Sequence, residues 1–330
     1  MLDILEISDL SLHLTQTGRP LLEHFSFTLG AGDRAVLIGE EGNGKSTLLR
    51  YLAQPEALKG YCEAEGRVAL RGRPGYLPQL LPEALRECTP ADYLAEIPAH
   101  RASELLERLG LPQELAASER PIRTLSGGER VKLQLARILL DEPDVLLLDE
   151  PTNDLDVETL EWLEDFLLHT RLPVLYVSHD ETLIERTANV IIHMEQLRRK
   201  TCCRTTVSRE SYPEYLRRRA NLFDRQEQLA QKQRSDYDKK LERWQQVYQR
   251  VEHEQGSISR GDPHGGRLLK KKMHSVQSQK RRFEREKEAF LDFPETEEAI
   301  LARFPADIVL PAGKTVLDLS LPALYAGQHL

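Results

Sequence analysis

The sequence predicts an α/β core built on a largely parallel sheet and continued by an antiparallel helical hairpin, and three observations carry that reading. Gly39-Glu40-Glu41-Gly42-Asn43-Gly44-Lys45-Ser46 fits GxxxxGK[ST] and lies between an apolar run and a helix-forming stretch. Val145-Leu146-Leu147-Leu148 is an unbroken apolar run ending in Asp149-Glu150, as expected of a strand covered on both faces. From Leu216 onward, apolar residues return every seven positions within a strongly basic segment, the pattern of paired helices.

The first element is the strand, loop and helix around Lys45. Ala35-Val36-Leu37-Ile38 is the strand, and Thr47-Leu48-Leu49-Arg50-Tyr51-Leu52 carries the helix onward. Glycines at 39, 42 and 44 let backbone N–H groups turn inward on a triphosphate. Lys45 adds a point charge near the β and γ phosphates, and Ser46 can hold Mg²⁺. Gly75-Tyr76-Leu77-Pro78-Gln79 then supplies a lone glutamine. Leu125-Ser126-Gly127-Gly128-Glu129 precedes residues 130–140, where Val131, Leu133, Leu135, Ile138 and Leu139 mark a largely buried helix. Ser126, Gly127 and Gly128 therefore sit at a helix N-terminus, a ready anion site. Asp149, at its strand end, can hold Mg²⁺ directly or through water, and Glu150 can polarise an attacking water as general base. Val177-Ser178-His179-Asp180 adds a lone histidine.

Composition narrows the class. The 330 residues exceed one typical domain. No apolar run approaches the roughly 18 residues needed to cross a bilayer, and the N-terminus lacks the basic and apolar regions of a signal peptide. The cysteines at 62, 88, 202 and 203 show no CxxC spacing and are expected as reduced thiols in a cytoplasmic protein. Charge is distributed unevenly. Residues 1–196 carry 18 basic and 34 acidic side chains, residues 197–291 carry 25 and 13, and residues 292–330 carry 2 and 6. An acidic engine bearing a basic module points to a polyanionic partner.

The basic module has its own architecture. Leu216, Phe223, Ala230, Tyr237, Trp244 and Val251 repeat every seven residues, with Leu241 and Tyr248 between them. Residues 256–266, with Pro263 and four glycines, break the helix, and a second seam follows at Leu269, Met273, Val276, Phe283 and Phe290. The reading is an antiparallel coiled-coil hairpin with its tip near residues 260–264. An outgoing helix of about 42 residues reaches ~60 Å. Lys270-Lys271-Lys272, Lys280-Arg281-Arg282 and Arg217-Arg218-Arg219 are its basic clusters. Such residues give sequence-independent, salt-sensitive contact with structured RNA, or else a solvated face of i, i+4 pairs.

In order and spacing, the loop at 39–46, Gln79, LSGGE, Asp149-Glu150 and His179 resemble the ATP-binding cassette superfamily. The resemblance implies an ATPase with a P-loop cassette and a helical subdomain at residues 82–136. Residues 39–47, ending in Thr47, look like Walker A, residues 145–149 like Walker B, and Asn153-Asp154-Leu155-Asp156 like the D-loop. It further implies that Lys45, Ser46, Gln79 and Asp149 hold MgATP, that Glu150 activates water and that His179 senses the γ-phosphate. In this superfamily two cassettes face head to tail, so Ser126, Gly127 and Gly128 would serve a partner's nucleotide. One departure concerns the base. Leu12-His13-Leu14-Thr15-Gln16-Thr17-Gly18 carries no aromatic ring for adenine.

A cassette followed by a basic hairpin is similar to the ABC-F subfamily, soluble twin-cassette proteins that act on ribosomes. The residues are Asn153 to Asp156 and then Ser211-Tyr212-Pro213-Glu214-Tyr215-Leu216, like the stretch that opens the family's interdomain linker. The resemblance implies rRNA and tRNA as partners, and a role in translation regulation or antibiotic resistance. It divides the chain into a cassette at 1–207, a linker at 208–293 and, at 294–330, the beginning of a truncated second cassette with strands at 308–310 and 316–319. A second cassette is then expected in trans or beyond this region, and the isolated chain is expected to bind ATP with weak or absent turnover. The alternative, a nucleotide-binding subunit of an ABC transporter, shares residues 39–179 but has no use for a basic hairpin.

Overall fold

The computed structural model describes residues 3–197, 201–256 and 263–288. The expected strands at 308–310 and 316–319, and the whole of 294–330, lie outside the described residues. In chain order the strands are β1 (Leu5–Leu14), β2 (Pro20–Leu29), β3 (Arg34–Ile38), β4 (Cys62–Leu70), β5 (Pro74–Leu77), β6 (Val145–Asp149), β7 (Val174–Val177), β8 (Val190–Leu197) and β9 (Cys202–Ser208). The helices are α1 (Lys45–Ala53), α2 (Glu83–Arg86), α3 (Pro90–Tyr93), α4 (Ala99–Arg108), α5 (Gly127–Leu140), α6 (Val157–His169), α7 (Glu181–Thr187), α8 (Tyr212–Gly256) and α9 (Pro263–Glu288).

One sheet has the order β2-β1-β4 and is antiparallel, and the other has the order β5-β6-β7-β3-β8-β9. The second is parallel except for β9, which pairs antiparallel with β8. Its apolar runs are unbroken because both faces are covered. Ala35, Leu37, Val145, Leu147, Leu175, Val177 and Ile192 pack on the side of α1 and the small sheet. Val36, Ile38, Leu146, Leu148, Val174, Tyr176 and Ile191 pack on the other side, with residues of α5, α6 and α7. The strand period of two thus sorts each run into two cores, and each fully buried leucine contributes about 1.5–3 kcal/mol of transfer free energy.

A third cluster joins Leu94, Ala102, Leu106, Leu115, Ile122 and Leu133 into a helical layer. Its helices run from Glu83 to Leu140, past the 82–136 expected, because Leu139 and Leu140 still pack on this cluster.

The arm is α8 and α9. Ala230, Val251 and Val276 are buried along the predicted seam, and Phe223, Tyr237, Leu241, Trp244, Tyr248, Met273 and Phe283 are half-buried. The side chains of Leu269 and Phe290 lie outside the described residues. Trp244 Nε1 donates to the Val276 carbonyl at 2.7 Å, Lys280 sits over the Trp244 ring, Lys240 over Phe283 and Lys287 over Tyr237. As the α8 partner moves back along the chain its α9 partner moves forward, so the two helices are antiparallel. At 45 residues α8 is longer than expected, which gives ~68 Å at ~1.5 Å per residue. The expected break at 256–266 is also shorter, since α9 already begins at Pro263. A proline at the first helical position loses no hydrogen bond and arrives with a helical φ.

The base of the arm is sunk into the cassette. Tyr212 and Tyr215 belong to the same apolar cluster as the sheet. The Tyr215 hydroxyl meets His193 Nδ1 at 2.6 Å. Arg219 pairs with Glu195 at 2.8 Å and also bonds His193, both of them buried side chains of β8. Arg218 pairs with Glu210. Of the expected RNA-facing cluster at 217–219, Arg219 is therefore turned inward as a structural anchor, and Arg217 is exposed.

Candidate nucleotide and catalytic site

β3 ends at Ile38, and the chain then bends sharply around Lys45. Gly39 adopts φ +143°, and a Cβ there would lie 2.1 Å from the Met194 carbonyl oxygen of β8. Only glycine lets the loop lie this close to the neighbouring strand. The buried Asn43 amide donates to the same carbonyl at 2.9 Å, and Arg19 of the β1–β2 turn donates to the Gly42 carbonyl at 2.9 Å. Lys45 is buried, and its Nζ donates to the Gly39 and Glu40 carbonyls at 2.7 and 2.9 Å. The loop is closed on its own lysine, with Gly44 as the helix cap in a left-handed conformation. Glu41 is exposed at the loop's outer edge. Ser46 and Thr47, at the start of α1, border one open depression with Arg50, Tyr76, Gln79 and Asp149.

At the end of β6, Ser46 Oγ donates to Asp149 Oδ1 at 2.8 Å. Burial pushes the Asp149 carboxyl up from its ordinary value, against the pull of the Ser46 hydrogen bond, and the Glu150 charge pushes the same way. The Tyr76 hydroxyl faces Asp149, and burial, with the Asp149 charge, pushes that phenol up to about 12. A buried carboxylate beside a hydroxyl oxygen, with more negative charge next to it, is a set of hard donors short of positive charge. Its chemistry fits Mg²⁺.

Glu150 follows with φ +47°. Its carboxylate Oε2 accepts from Gln79 Nε2 at 3.0 Å and from Asn153 Nδ2 at 2.8 Å. Its Oε1 stands 3.6 Å from His179 Nε2. Glu150, Gln79 and His179 are thus brought together, although Gln79, expected on the metal, is turned to Glu150 here.

Ser126, Gly127 and Gly128 are positioned differently. Ser126 and Glu129 form a reciprocal capping box on α5, at 3.2 and 2.9 Å, a pattern the S-x-x-E spacing itself could have announced. A Cβ on Gly127 would lie 1.9 Å from the Asp154 carbonyl oxygen, and one on Gly128 2.3 Å from Thr159 Oγ1. This loop therefore rests on residues 153–159 of its own chain, and Asp154 pairs with Arg130 at 3.6 Å. The roles of Tyr76, Asn153 and Arg19 were not foreseen from the sequence. Tyr76, two residues before Pro78 in the strand that leads to Gln79, and Asn153, in the D-loop-like string, each had a positional signal.

The ABC transporter family model matches residues 22–153. The chain is 38% identical over 192 residues to the ATP-binding protein Uup-like of Haemophilus influenzae, covering 56% of this chain and 40% of that protein. It is 36% identical over 175 residues to the ribosome protection protein VmlR of Bacillus subtilis, covering 52% and 31%. The chain thus spans well under half the length of these curated relatives. A solved ABC transporter of metal-chelate type, in an inward-facing conformation, superposes with a TM-score of 0.51 at 22% identity over 63% of this chain and 84% of that one, a likeness of fold.

Proposed function

We propose that the chain, which matches the ABC transporter family model over residues 22–153, is an ATP-binding cassette ATPase of the ABC-F branch that acts on the ribosome, with the α8–α9 arm contacting tRNA or rRNA. The observation that carries the proposal is the arm. A basic helical pair, with 25 basic and 13 acidic side chains over residues 197–291, is rooted in the ATPase sheet through Tyr212, Tyr215 and Arg219. Lys270, Lys271 and Arg281 are exposed on α9 and available to phosphates. A transporter subunit has no evident use for such a lever. No described helix is long and apolar enough to cross a membrane. The proposed ribosomal partner is what assigns the protein to the cytoplasm.

In the proposed site, the loop from Gly39 to Thr47 cradles the ATP phosphates, Lys45 leaves its carbonyl partners to meet them, and Ser46, Asp149 and Gln79 hold Mg²⁺. That ion supplies charge neutralisation at the transferred phosphoryl group. Glu150 takes the proton of the attacking water, and His179 lies beside it to contact the γ-phosphate. Ser126, Gly127 and Gly128 close on nucleotide held by a second cassette, in trans or from a longer protein. The reading also takes residues 1–207 as cassette, 208–293 as coiled-coil linker and 294–330 as the start of that second cassette. Translation regulation and antibiotic protection are both compatible with this lever.

The test is co-sedimentation of the Glu150→Gln chain with 70S ribosomes, with and without ATP. Binding should require ATP and fall by at least about tenfold between about 50 and about 200 mM salt. Binding indifferent to both, or recovery with membrane subunits instead, overturns the proposal.

A further inference from the structure

We infer that Asn153 is the positioning residue for the general base, an inference that rests on the ATPase reading of Glu150. Glu150 lies one residue beyond β6 in a left-handed backbone conformation, φ +47°, which a branchless glycine tolerates and a glutamate does not hold unaided. Its backbone N–H donates to the Val177 carbonyl of β7 at 3.1 Å, so the main chain is pinned. The side chain still has to be aimed.

Two amides do this, and both use one oxygen. Gln79 Nε2 and Asn153 Nδ2 donate to Oε2 at 3.0 and 2.8 Å. That leaves Oε1, on the His179 side, to accept a proton from water. The two amides are not equivalent. Gln79 arrives from the loop after β5 and is the residue proposed to turn toward Mg²⁺. Asn153 is three residues from Glu150 in a turn closed by its own N–H to the Glu150 carbonyl at 3.3 Å, so it travels with the base. Once Gln79 has turned away, Asn153 is the remaining donor to Oε2 among the described residues. The amide is required by its chemistry. It donates to a carboxylate without changing the charge, whereas an aspartate at the same place would set two carboxylates in contact and a shorter side chain would not reach.

The same turn touches the Ser126–Gly128 loop. Asp154, with φ +61°, places its carbonyl oxygen where a Gly127 Cβ would stand, and its carboxylate pairs with Arg130 on α5. A displacement of Gly127 is therefore passed to residues 153–154 and from there to the aim of Glu150.

Asn153→Asp and Asn153→Ala are the variants, measured in the full chain. MgATP affinity by calorimetry should stay within about twofold, since neither atom touches the phosphate loop. Single-turnover hydrolysis, with the chain in excess over ATP, should slow by about 10–100-fold, the worth of one hydrogen bond to a charged group. A second measurement needs no turnover. Carbodiimide coupling of glycinamide to Glu150, read by peptide mass spectrometry with MgATP present, should increase several-fold in Asn153→Ala. Unchanged hydrolysis or unchanged coupling overturns the inference. If the wild-type chain hydrolyses nothing for want of a second cassette, the coupling measurement alone decides Asn153, and it is absence of MgATP binding that overturns the ATPase reading.

Discussion

Replacing Arg219 by methionine keeps the aliphatic stem and removes the guanidinium, and so isolates the anchoring of the arm. Arg219 meets Glu195 Oε1 at 2.8 Å, Arg204 meets Oε2 at 2.7 Å, and the Glu195 side chain is 2% exposed. Removing one partner of a buried pair typically costs about 3–5 kcal/mol, because the other charge stays buried. Arg204 remains, but at 53% exposure it is well solvated, so a loss of about 2–3 kcal/mol is expected. For a cassette of roughly 200 residues this lowers Tm by about 4–12 °C. The pH dependence has a definite sign. Burial pushes the Glu195 carboxyl up, yet the Arg204 hydrogen bond, with the charges of His193 and Arg219, holds it below its ordinary value. A depressed folded-state value stabilises above the unfolded pKa of about 4.3 and ceases to do so as pH falls through the folded value. The gap between wild type and variant should be full at pH 7 and close in acid. Calorimetric melts across that range, repeated at high salt, measure it. A loss under about 1 kcal/mol at pH 7, or a gap that widens toward acid, would refute the buried-anchor argument.

Other substitutions probe the loop and the arm. Gly39→Ala should weaken MgATP binding by at least about tenfold, since its Cβ would lie 2.1 Å from the Met194 carbonyl oxygen; calorimetric affinity equal to wild type would contradict the close approach. Tyr76→Phe removes the hydroxyl that faces Asp149 and should raise the Mg²⁺ concentration for half-maximal ATP binding several-fold while leaving Mg²⁺-free binding alone. Exchanging Lys270, Lys271 and Arg281 for glutamate should lower the slope of log affinity for ribosomes against log salt by up to about three. An unaltered slope would mean that those side chains face away from phosphate.

Legibility differed from residue to residue. The loop at 39–46 and the run at 145–150 are contiguous, and the backbone of a contiguous segment performs most of their work, so their chemistry shows in the letters. The seam of α8 and α9 was legible for the same reason, since a seven-residue period is a local property. Asn153 was visible only as one member of a D-loop-like string, because its amide reaches Glu150 through a left-handed backbone turn that no residue type announces. Arg217 and Arg219 read alike in sequence, yet two helical steps turn one toward solvent and the other toward Glu195, 24 positions earlier. Pro263 read as a breaker and is instead a helix's first residue, since the same fixed φ serves both uses.

The strand β8 bears on how such chains can be recombined. Its Met194 carbonyl lies against Gly39 and Asn43, while its alternate residues, His193 and Glu195, grip Tyr215 and Arg219 of α8. A chimera that grafts another arm at residue 208 would bring a foreign helix onto a socket carved for this one. The interchangeable part begins upstream, before Val190, and a transplanted arm should travel with the strand that holds it.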